Sequence, residues 1–181
     1  MKNAIVVYES VYGNTRALAE AIAAGLDASV LPVQKAGDAA AEAELVVVGG
    51  PTHMHGLSTA RSRQMAVAGA HEDGGMTVEP LADQEPGLRR WLSELPRCDG
   101  HRAAAFDTRL DRAPWMTGMA ARGVARRLRQ HGFEMLGTES FLVEDAEGPL
   151  EQGELERAHA WGEQLTRLLA DTAAPAVAPG S

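Results

Sequence analysis

The residues with the clearest chemical potential lie near the start of the chain, where an apolar run ends in the turn Glu-Ser-Val-Tyr-Gly-Asn-Thr, residues 9–15. Ser10, Asn14 and Thr15 offer short hydrogen-bonding side chains, and Gly13 allows the backbone to approach a ligand closely. An alanine- and leucine-rich segment follows, which predicts a helix whose free N–H groups point at the turn. A strand, a polar turn and a helix in this order can hold an anion.

The composition of this turn narrows the kind of anion. A nucleoside-triphosphate loop has the pattern Gly-x-x-x-x-Gly-Lys-Ser/Thr, and a dinucleotide loop has Gly-x-Gly-x-x-Gly. The turn has one glycine, several hydroxyl groups and no lysine, which favours a single terminal phosphate held by the helix dipole. The alternative is an ordinary strand-to-helix turn, although a capped helix needs only one of these side chains.

Alternating strand and helix patterns predict parallel strands joined by helical crossovers. The predicted strands are residues 4–8, 29–33, 45–50, 102–106 and 134–143, and the predicted helices are residues 16–26, 59–70, 88–95, 118–130 and 155–169. The run Leu45–Val48 is continuous and apolar, as expected for a strand buried on both faces. We therefore expect one domain over residues 1–172, followed by a disordered Ala/Pro tail over residues 173–181.

In an open parallel sheet, ligands bind beyond the carboxyl ends of the strands, where the strand order reverses. Three segments are expected to meet there: the turn at 10–15, the loop at 51–56 after the third strand, and the loop that begins at 107 after the fourth.

Residues 9–15 resemble the phosphate loop of flavodoxins, and Gly49-Gly50-Pro51-Thr52 supports the resemblance, which extends over about residues 3–170. It implies non-covalent binding of flavin mononucleotide (FMN) and a flavodoxin-like three-layer α/β sandwich, a five-stranded parallel sheet in the order 2-1-3-4-5 with helices on both faces. The resemblance assigns the following residues to the cofactor: Ser10, Val11, Tyr12, Gly13, Asn14 and Thr15 at the phosphate, Pro51, Thr52, His53 and Met54 on one side of the ring, and Asp107, Thr108 and Arg109 on the other.

The predicted ring-binding segments depart from the common flavodoxin pattern, which places Trp or Tyr against the flavin. His53, Met54 and His55 occupy the second segment, and Trp115 either lies over the site or packs elsewhere. The two histidines are either surface residues or part of the site. Their spacing could suit a metal ion, but no third ligand is signalled nearby, so no metal is predicted.

Arg109 suggests a specific hypothesis about the reduction potential of a bound flavin. Reduced flavin can bear a negative charge near N1 and O2, and a guanidinium there would raise the reduction potential. The alternative is that Arg109 forms a salt bridge with Asp107 or Asp111 and does not contact the ring.

Composition and the lack of certain motifs argue against several other classes of protein. The net charge of −8 and the lack of a Lys/Arg-rich run argue against nucleic acid, although an acidic surface suits a basic protein partner. The single cysteine, Cys98, forms no intrachain disulfide and is expected to be structural. Neither a secretory segment nor a membrane span is apparent, which predicts a cytoplasmic protein. The motifs of phosphorelay receivers, Cys-x5-Arg phosphatases and Gly-x-Ser-x-Gly hydrolases are missing.

The resemblance thus implies an FMN-binding protein that carries electrons between a reductase and an acceptor protein. Two alternatives stay open. One is a flavin-dependent oxidoreductase acting on a quinone or a porphyrinogen, similar to the flavodoxin-like protoporphyrinogen oxidases. The other is a degenerate domain that serves only in protein association. No catalytic residue is assigned, and the sequence does not predict an oligomeric state.

Overall fold

The computed structural model describes residues 3–53, 56–72, 77–112, 118–145 and 147–173. Several residues singled out in the sequence lie outside these ranges: Met54, His55, Trp115 and the tail beyond residue 173.

The described ranges contain strands and helices in near alternation. In chain order they are β1 (Ala4–Tyr8), α1 (Asn14–Leu26), β2 (Ser29–Pro32), a 3-10 turn (Val33–Lys35), α2 (Ala39–Glu42), β3 (Leu45–His53), β4 (Gly56–Leu57), α3 (Ala60–Glu72), α4 (Leu88–Glu94), β5 (Arg102–Leu110), α5 (Ala120–Gln130), β6 (Glu134–Val143) and α6 (Glu154–Ala173).

The sheet has the strand order β2-β1-β3-β5-β6, and all of these strands are parallel. The short strand β4 stands off this path and pairs antiparallel with the end of β3, Thr52 opposite Leu57 and His53 opposite Gly56. Without β4, the strands follow the order 2-1-3-4-5. The predicted doubly wound α/β architecture is therefore confirmed, with one unpredicted hairpin added at the carboxyl end of β3.

Helices cover both faces of the sheet and form two hydrophobic cores. On one face, α1 and α6 bury Leu18, Ile22 and Trp161 against Phe106. These two helices approach so closely that a Cβ on Gly25 would collide with the backbone of α6, which explains a glycine inside a helix.

On the other face, α4 and α5 bury Trp91, Leu92, Val124 and Leu128 in the second core. Trp91 and Trp161 thus serve in helix packing, one in each core. Cys98 is a buried free thiol in this second core, and burial raises its pKa, which agrees with a structural role.

Two strands extend further than the sequence pattern indicates. We expected Asp107, Thr108 and Arg109 in a loop, but this prediction is wrong because β5 continues to Leu110. β3 and β6 hold these residues in the sheet, as Asp107 pairs with Gly50 and Arg109 with Leu142. In a similar way β3 continues to His53. The ligand edge of the sheet is therefore built from strand ends rather than from long loops.

None of the helices within the described ranges is long and apolar enough to cross a membrane.

Candidate functional site

The turn after β1 leaves the start of α1 open to a ligand. Gly13 has a φ of 91°, in the left-handed region that favours glycine, and α1 begins at the next residue. No side chain caps this 13-residue helix, and its first turn carries no acidic residue. The Ser10 hydroxyl accepts a hydrogen bond from the Gly13 N–H at 3.1 Å, so Ser10 shapes the turn. The first N–H groups of α1 are available to an anion at the positive end of the helix dipole.

A small cleft of about 100 Å³ opens beside this helix end, at the carboxyl edge of the sheet. Its walls come from the turn after β1 and from the ends of β3, β5 and β6. The lining residues are Ser10, Val11, Tyr12, Asn14, Thr15, Pro51, Thr52, His53, Thr108, Arg109, Leu110 and Val143. Most of the predicted site residues therefore meet in one place, although the predictions drew on three separate segments of the chain.

Two lining residues, Leu110 and Val143, are absent from the sequence-based predictions. Each one is the last residue of its strand, β5 or β6. The carboxyl ends of parallel strands lie on one edge of the sheet. An accurate end for β5 would have placed Leu110 there, and the predicted end of β6 at residue 143 already placed Val143 there.

Two hydrogen bonds connect the turn to the rest of the cleft. The hydroxyl groups of Thr15 and Thr108 lie 3.3 Å apart, and both residues are buried. The Asn14 amide donates to the carbonyl of Glu147 at 2.9 Å, in the segment that follows β6. These contacts set the position of the α1 end relative to β5 and β6, which are distant in sequence.

A buried ionic network lies directly behind the turn. Glu9 accepts hydrogen bonds from the Ser58 hydroxyl and from the Leu88 N–H, the latter at 2.7 Å, and forms an ion pair with Arg63 at 3.5 Å. Arg63 also pairs with Glu85. Glu9 and Arg63 are each only 1% exposed, so this network joins the β1 turn to the starts of α3 and α4 within the protein.

His53 lines the cleft near this network. Burial lowers the pKa of its imidazole, the Glu9 carboxylate raises it by a smaller amount, and Arg63 lowers it further. The net decrease favours the neutral ring at neutral pH. His53 thus presents an uncharged, flat aromatic surface at the end of β3.

Asp107 lies behind the cleft rather than in its lining. It is completely buried, and its carboxylate accepts a hydrogen bond from the Ala121 N–H at 2.8 Å. Burial raises the pKa of this carboxyl, and the hydrogen bond from the Ala121 N–H, with the nearby Ser140 and Thr52 hydroxyl groups, offsets part of the increase. Through this hydrogen bond Asp107 satisfies a free N–H group at the start of α5. The same helix end also contacts β3, because the Ala120 N–H donates to the Thr52 hydroxyl at 3.1 Å.

Arg109 lines the cleft and is held by backbone carbonyls. Its Nη1 donates to the carbonyls of Leu110 at 3.1 Å and Arg112 at 2.9 Å. Among the described residues no salt bridge joins Arg109 to Asp107 or Asp111, and its buried Nε has no hydrogen-bond partner there. Arg109 thus forms no salt bridge with either aspartate, although its positive charge lowers the pKa of Asp107.

This donor set fits a phosphate monoester attached to a flat, largely uncharged group. An uncapped helix end, hydroxyl groups and an absence of acidic residues in the first helical turn suit the phosphate. The strand ends beside it supply proline, a neutral imidazole and aliphatic surface. Within the part of the chain that the structure describes, no group of three His, Cys, Asp or Glu side chains could hold a metal ion.

The comparisons with known proteins agree with this geometry. The family model described as "Flavodoxin domain" matches residues 5–63, which include β1, the turn, α1 and β3. No curated protein sequence matches the chain significantly. Solved structures match over almost the whole chain.

A flavodoxin from the domain Archaea has 21% identity and a TM-score of 0.58, with 94% of this chain and 99% of that chain covered. A flavodoxin from Streptococcus pneumoniae TIGR4 has 17% identity and a TM-score of 0.60, with 91% and 97% covered. Flavodoxin 1 from Bacillus cereus has 15% identity and a TM-score of 0.59, with 96% and 100% covered. The chain therefore has a flavodoxin-like fold, and its residues 5–63 match the flavodoxin domain model.

Proposed function

We propose that this flavodoxin-like protein binds FMN in the cleft and carries electrons between a reductase and an acceptor protein. The observation that supports this most directly is the uncapped start of α1, which lies at the carboxyl edge of the sheet and carries Asn14 and Thr15 in its first turn. A phosphate there would gain hydrogen bonds from backbone N–H groups without a basic side chain.

The roles of the other residues follow from their places in the cleft. The N–H groups of Asn14 and Thr15 and the Thr15 hydroxyl would hold the phosphate. The ends of β3 and β5, with His53 and Arg109, would border the ring. Bound FMN supplies reversible electron and hydride transfer, and the protein sets its orientation and potential.

Visible spectroscopy and an FMN titration test this proposal. We expect the purified protein to be yellow and to release one equivalent of FMN. We also expect that Thr15→Ala weakens FMN binding by about 1–3 kcal/mol, the typical cost of losing a hydrogen bond to a charged group. The matched control is Thr166→Ala in α6, whose hydroxyl donates within its own helix to Gly162.

Two results would contradict the proposal. A colourless protein that fails to take up added FMN would favour the degenerate interaction domain. Equal FMN affinity in Thr15→Ala, Thr166→Ala and the wild type would show that the phosphate does not bind at the start of α1.

One observation favours a second function, a two-electron oxidoreductase that acts on a quinone or a porphyrinogen. The Arg109 guanidinium is in the cleft wall without a carboxylate partner among the described residues, and a positive charge there favours the fully reduced, anionic flavin. A reductive titration in a single two-electron step, together with turnover of a quinone, would support the enzyme. Separate one-electron steps and slow quinone turnover would support the carrier.

A further inference from the structure

Four arginines form a groove on the face of the molecule that carries α4 and α5. Arg89 extends from α4, and Arg122, Arg126 and Arg127 extend from α5. The groove has a volume of about 380 Å³. Its other lining residues are Gly56, Leu57, Met119 and Gly123. We call this region the arginine groove. It concentrates positive charge in a chain whose net charge is −8.

The salt bridges of the described residues leave these four guanidinium groups without a carboxylate partner. Among the described residues, none of them forms a salt bridge with a carboxylate. The neighbouring carboxylates are committed to other arginines, because Glu85 pairs with Arg63 and Glu94 pairs with Arg90. The positive charge of the arginine groove is therefore not neutralised within the described part of the chain.

Backbone carbonyls hold two of the guanidinium groups in place. Arg89 donates through Nε to the Ser58 carbonyl at 3.2 Å and through Nη2 to the Leu57 carbonyl at 2.6 Å. Arg127 donates through Nη1 to the Gly123 carbonyl at 3.2 Å. Burial lowers the pKa of Arg127, and the positive charges of Arg89 and Arg126 lower it further. The fold thus holds like charges close together, and a bound anion would relieve their repulsion.

The arginine groove borders the candidate cofactor cleft. The β3–β4 hairpin places Thr52 and His53 in the cleft lining and their pairing partners Leu57 and Gly56 in the groove lining. The start of α5 also contacts this hairpin, through the hydrogen bond from the Ala120 N–H to the Thr52 hydroxyl. A ligand in the groove would lie on the other side of a two-stranded wall from the cleft.

We propose that the arginine groove binds a small organic polyanion with at least two phosphate or carboxylate groups. Guanidinium groups bind both kinds of oxyanion through paired hydrogen bonds, and several of them around one concave surface favour a multivalent ligand. The groove volume is within the range of small-molecule sites. The proposal does not depend on the cofactor, since the groove shares no lining residue with the cleft.

NMR spectroscopy of the full-length protein tests this site with inorganic pyrophosphate and citrate as probes. Sodium chloride keeps the ionic strength constant during each titration and serves as the reference salt. We expect chemical-shift changes at the amides of Gly56, Leu57 and Gly123. The double variant Arg122→Gln/Arg126→Gln should bind each probe at least about tenfold more weakly, because hydrogen bonds to charged groups are lost. Both side chains are exposed and make no hydrogen bond within the described residues, so the variant should fold.

The matched control is Arg167→Gln, which removes an exposed arginine from α6 on the opposite face of the sheet. This variant should bind pyrophosphate like the wild type. Equal binding by the double variant and the wild type would overturn the proposal. Binding of poly-glutamate without binding of either small probe would also overturn it, in favour of an acidic protein surface.

The titration of FMN distinguishes this site from the proposed cofactor site. The double variant should keep the FMN affinity of the wild type, because neither arginine lines the cleft. A wild-type protein that binds pyrophosphate but takes up no FMN would refute the cofactor proposal alone. A double variant that binds both FMN and pyrophosphate like the wild type would refute the polyanion site alone.

Discussion

The two sides of the turn after β1 use electrostatics in opposite ways. On the cleft side, Ser10, Asn14 and Thr15 are uncharged, and the open end of α1 supplies the positive potential. On the inner side, Glu9 and Arg63 are charged, buried and paired. Adjacent residues in the chain thus line the cleft and stabilise the interior separately.

This separation has a physical reason. Successive residues in extended backbone point to opposite sides, so Glu9 can face the interior while Ser10 faces the cleft. A carboxylate in the cleft would repel a phosphate, whereas inside the protein it receives hydrogen bonds from Ser58 and Leu88 and pairs with Arg63. The comparison teaches that the candidate anion site offers fixed backbone dipoles rather than charged side chains, and that the buried ion network lies directly behind those dipoles.

The largest expected effect comes from breaking the buried network with Arg63→Ala. Removal of Arg63 leaves the Glu9 carboxylate buried without its cation, which typically costs about 3–5 kcal/mol of unfolding free energy. Urea denaturation monitored by circular dichroism measures the loss.

Arg61→Ala is the control for this change, because Arg61 is exposed on the same helix, and surface substitutions usually change stability by less than about 0.5 kcal/mol. Similar stability of the two variants would mean that the network does not hold the turn.

The next effect concerns the backbone on the ligand side of the turn. Gly13→Ala would force a Cβ into left-handed backbone with a φ of 91° and to 3.3 Å from a Glu79 carboxylate oxygen. We expect a loss of about 1–2 kcal/mol in unfolding free energy, measured by urea denaturation.

Gly69→Ala in α3 is the matched control, since an added Cβ there meets no atom within 4 Å. It should increase stability by up to about 1 kcal/mol. If both variants were stabilised, the turn would not require its left-handed conformation.

A third prediction tests whether the positive charge of Arg109 acts on a ligand in the cleft, whose turn residues are otherwise uncharged. If the protein binds FMN as proposed, Arg109→Gln should lower its two-electron reduction potential by about 30 mV, which corresponds to about 1.4 kcal/mol. Spectroelectrochemistry measures the potential. The control Arg112→Gln removes a nearby exposed guanidinium and should change the reduction potential less. Equal changes in potential for the two variants would mean that Arg109 does not act directly on the ring.

The smallest expected effect is a pH dependence from Asp107. Burial raises the pKa of Asp107 in the folded state above the value of 3.8 for a free side chain. The folded state therefore loses stability as the pH rises from 3.8 through the raised pKa, since the carboxyl must ionise while buried.

Asp107→Asn keeps an oxygen that can accept the Ala121 N–H but cannot ionise. The stability of this variant relative to the wild type should increase across that pH window, as measured by urea denaturation at several pH values. If the difference in unfolding free energy between the variant and the wild type stayed constant with pH, the pKa of Asp107 would not be raised in the folded state.

The sequence determined much of the architecture and the location of the cleft. The alternating strand and helix patterns predicted the parallel sheet and its order, and residues 134–143 were predicted with the observed bounds of β6. The turn at 9–15 was found from local chemistry alone, because a phosphate site at a helix start is built from neighbouring residues. Its place beside Thr108 and Arg109 also followed, since parallel strands end at one edge.

Only the tertiary structure decided the features that depend on distant partners. β5 extends through Arg109 because β3 and β6 pair with it there. Glu9 turns inward because Arg63 and Leu88, more than fifty residues away, lie within its reach. The arginine groove combines Arg89 with three arginines of α5, which packs beside α4. Local propensities carry no information on such contacts, because each arises from the packing of elements far apart in the chain.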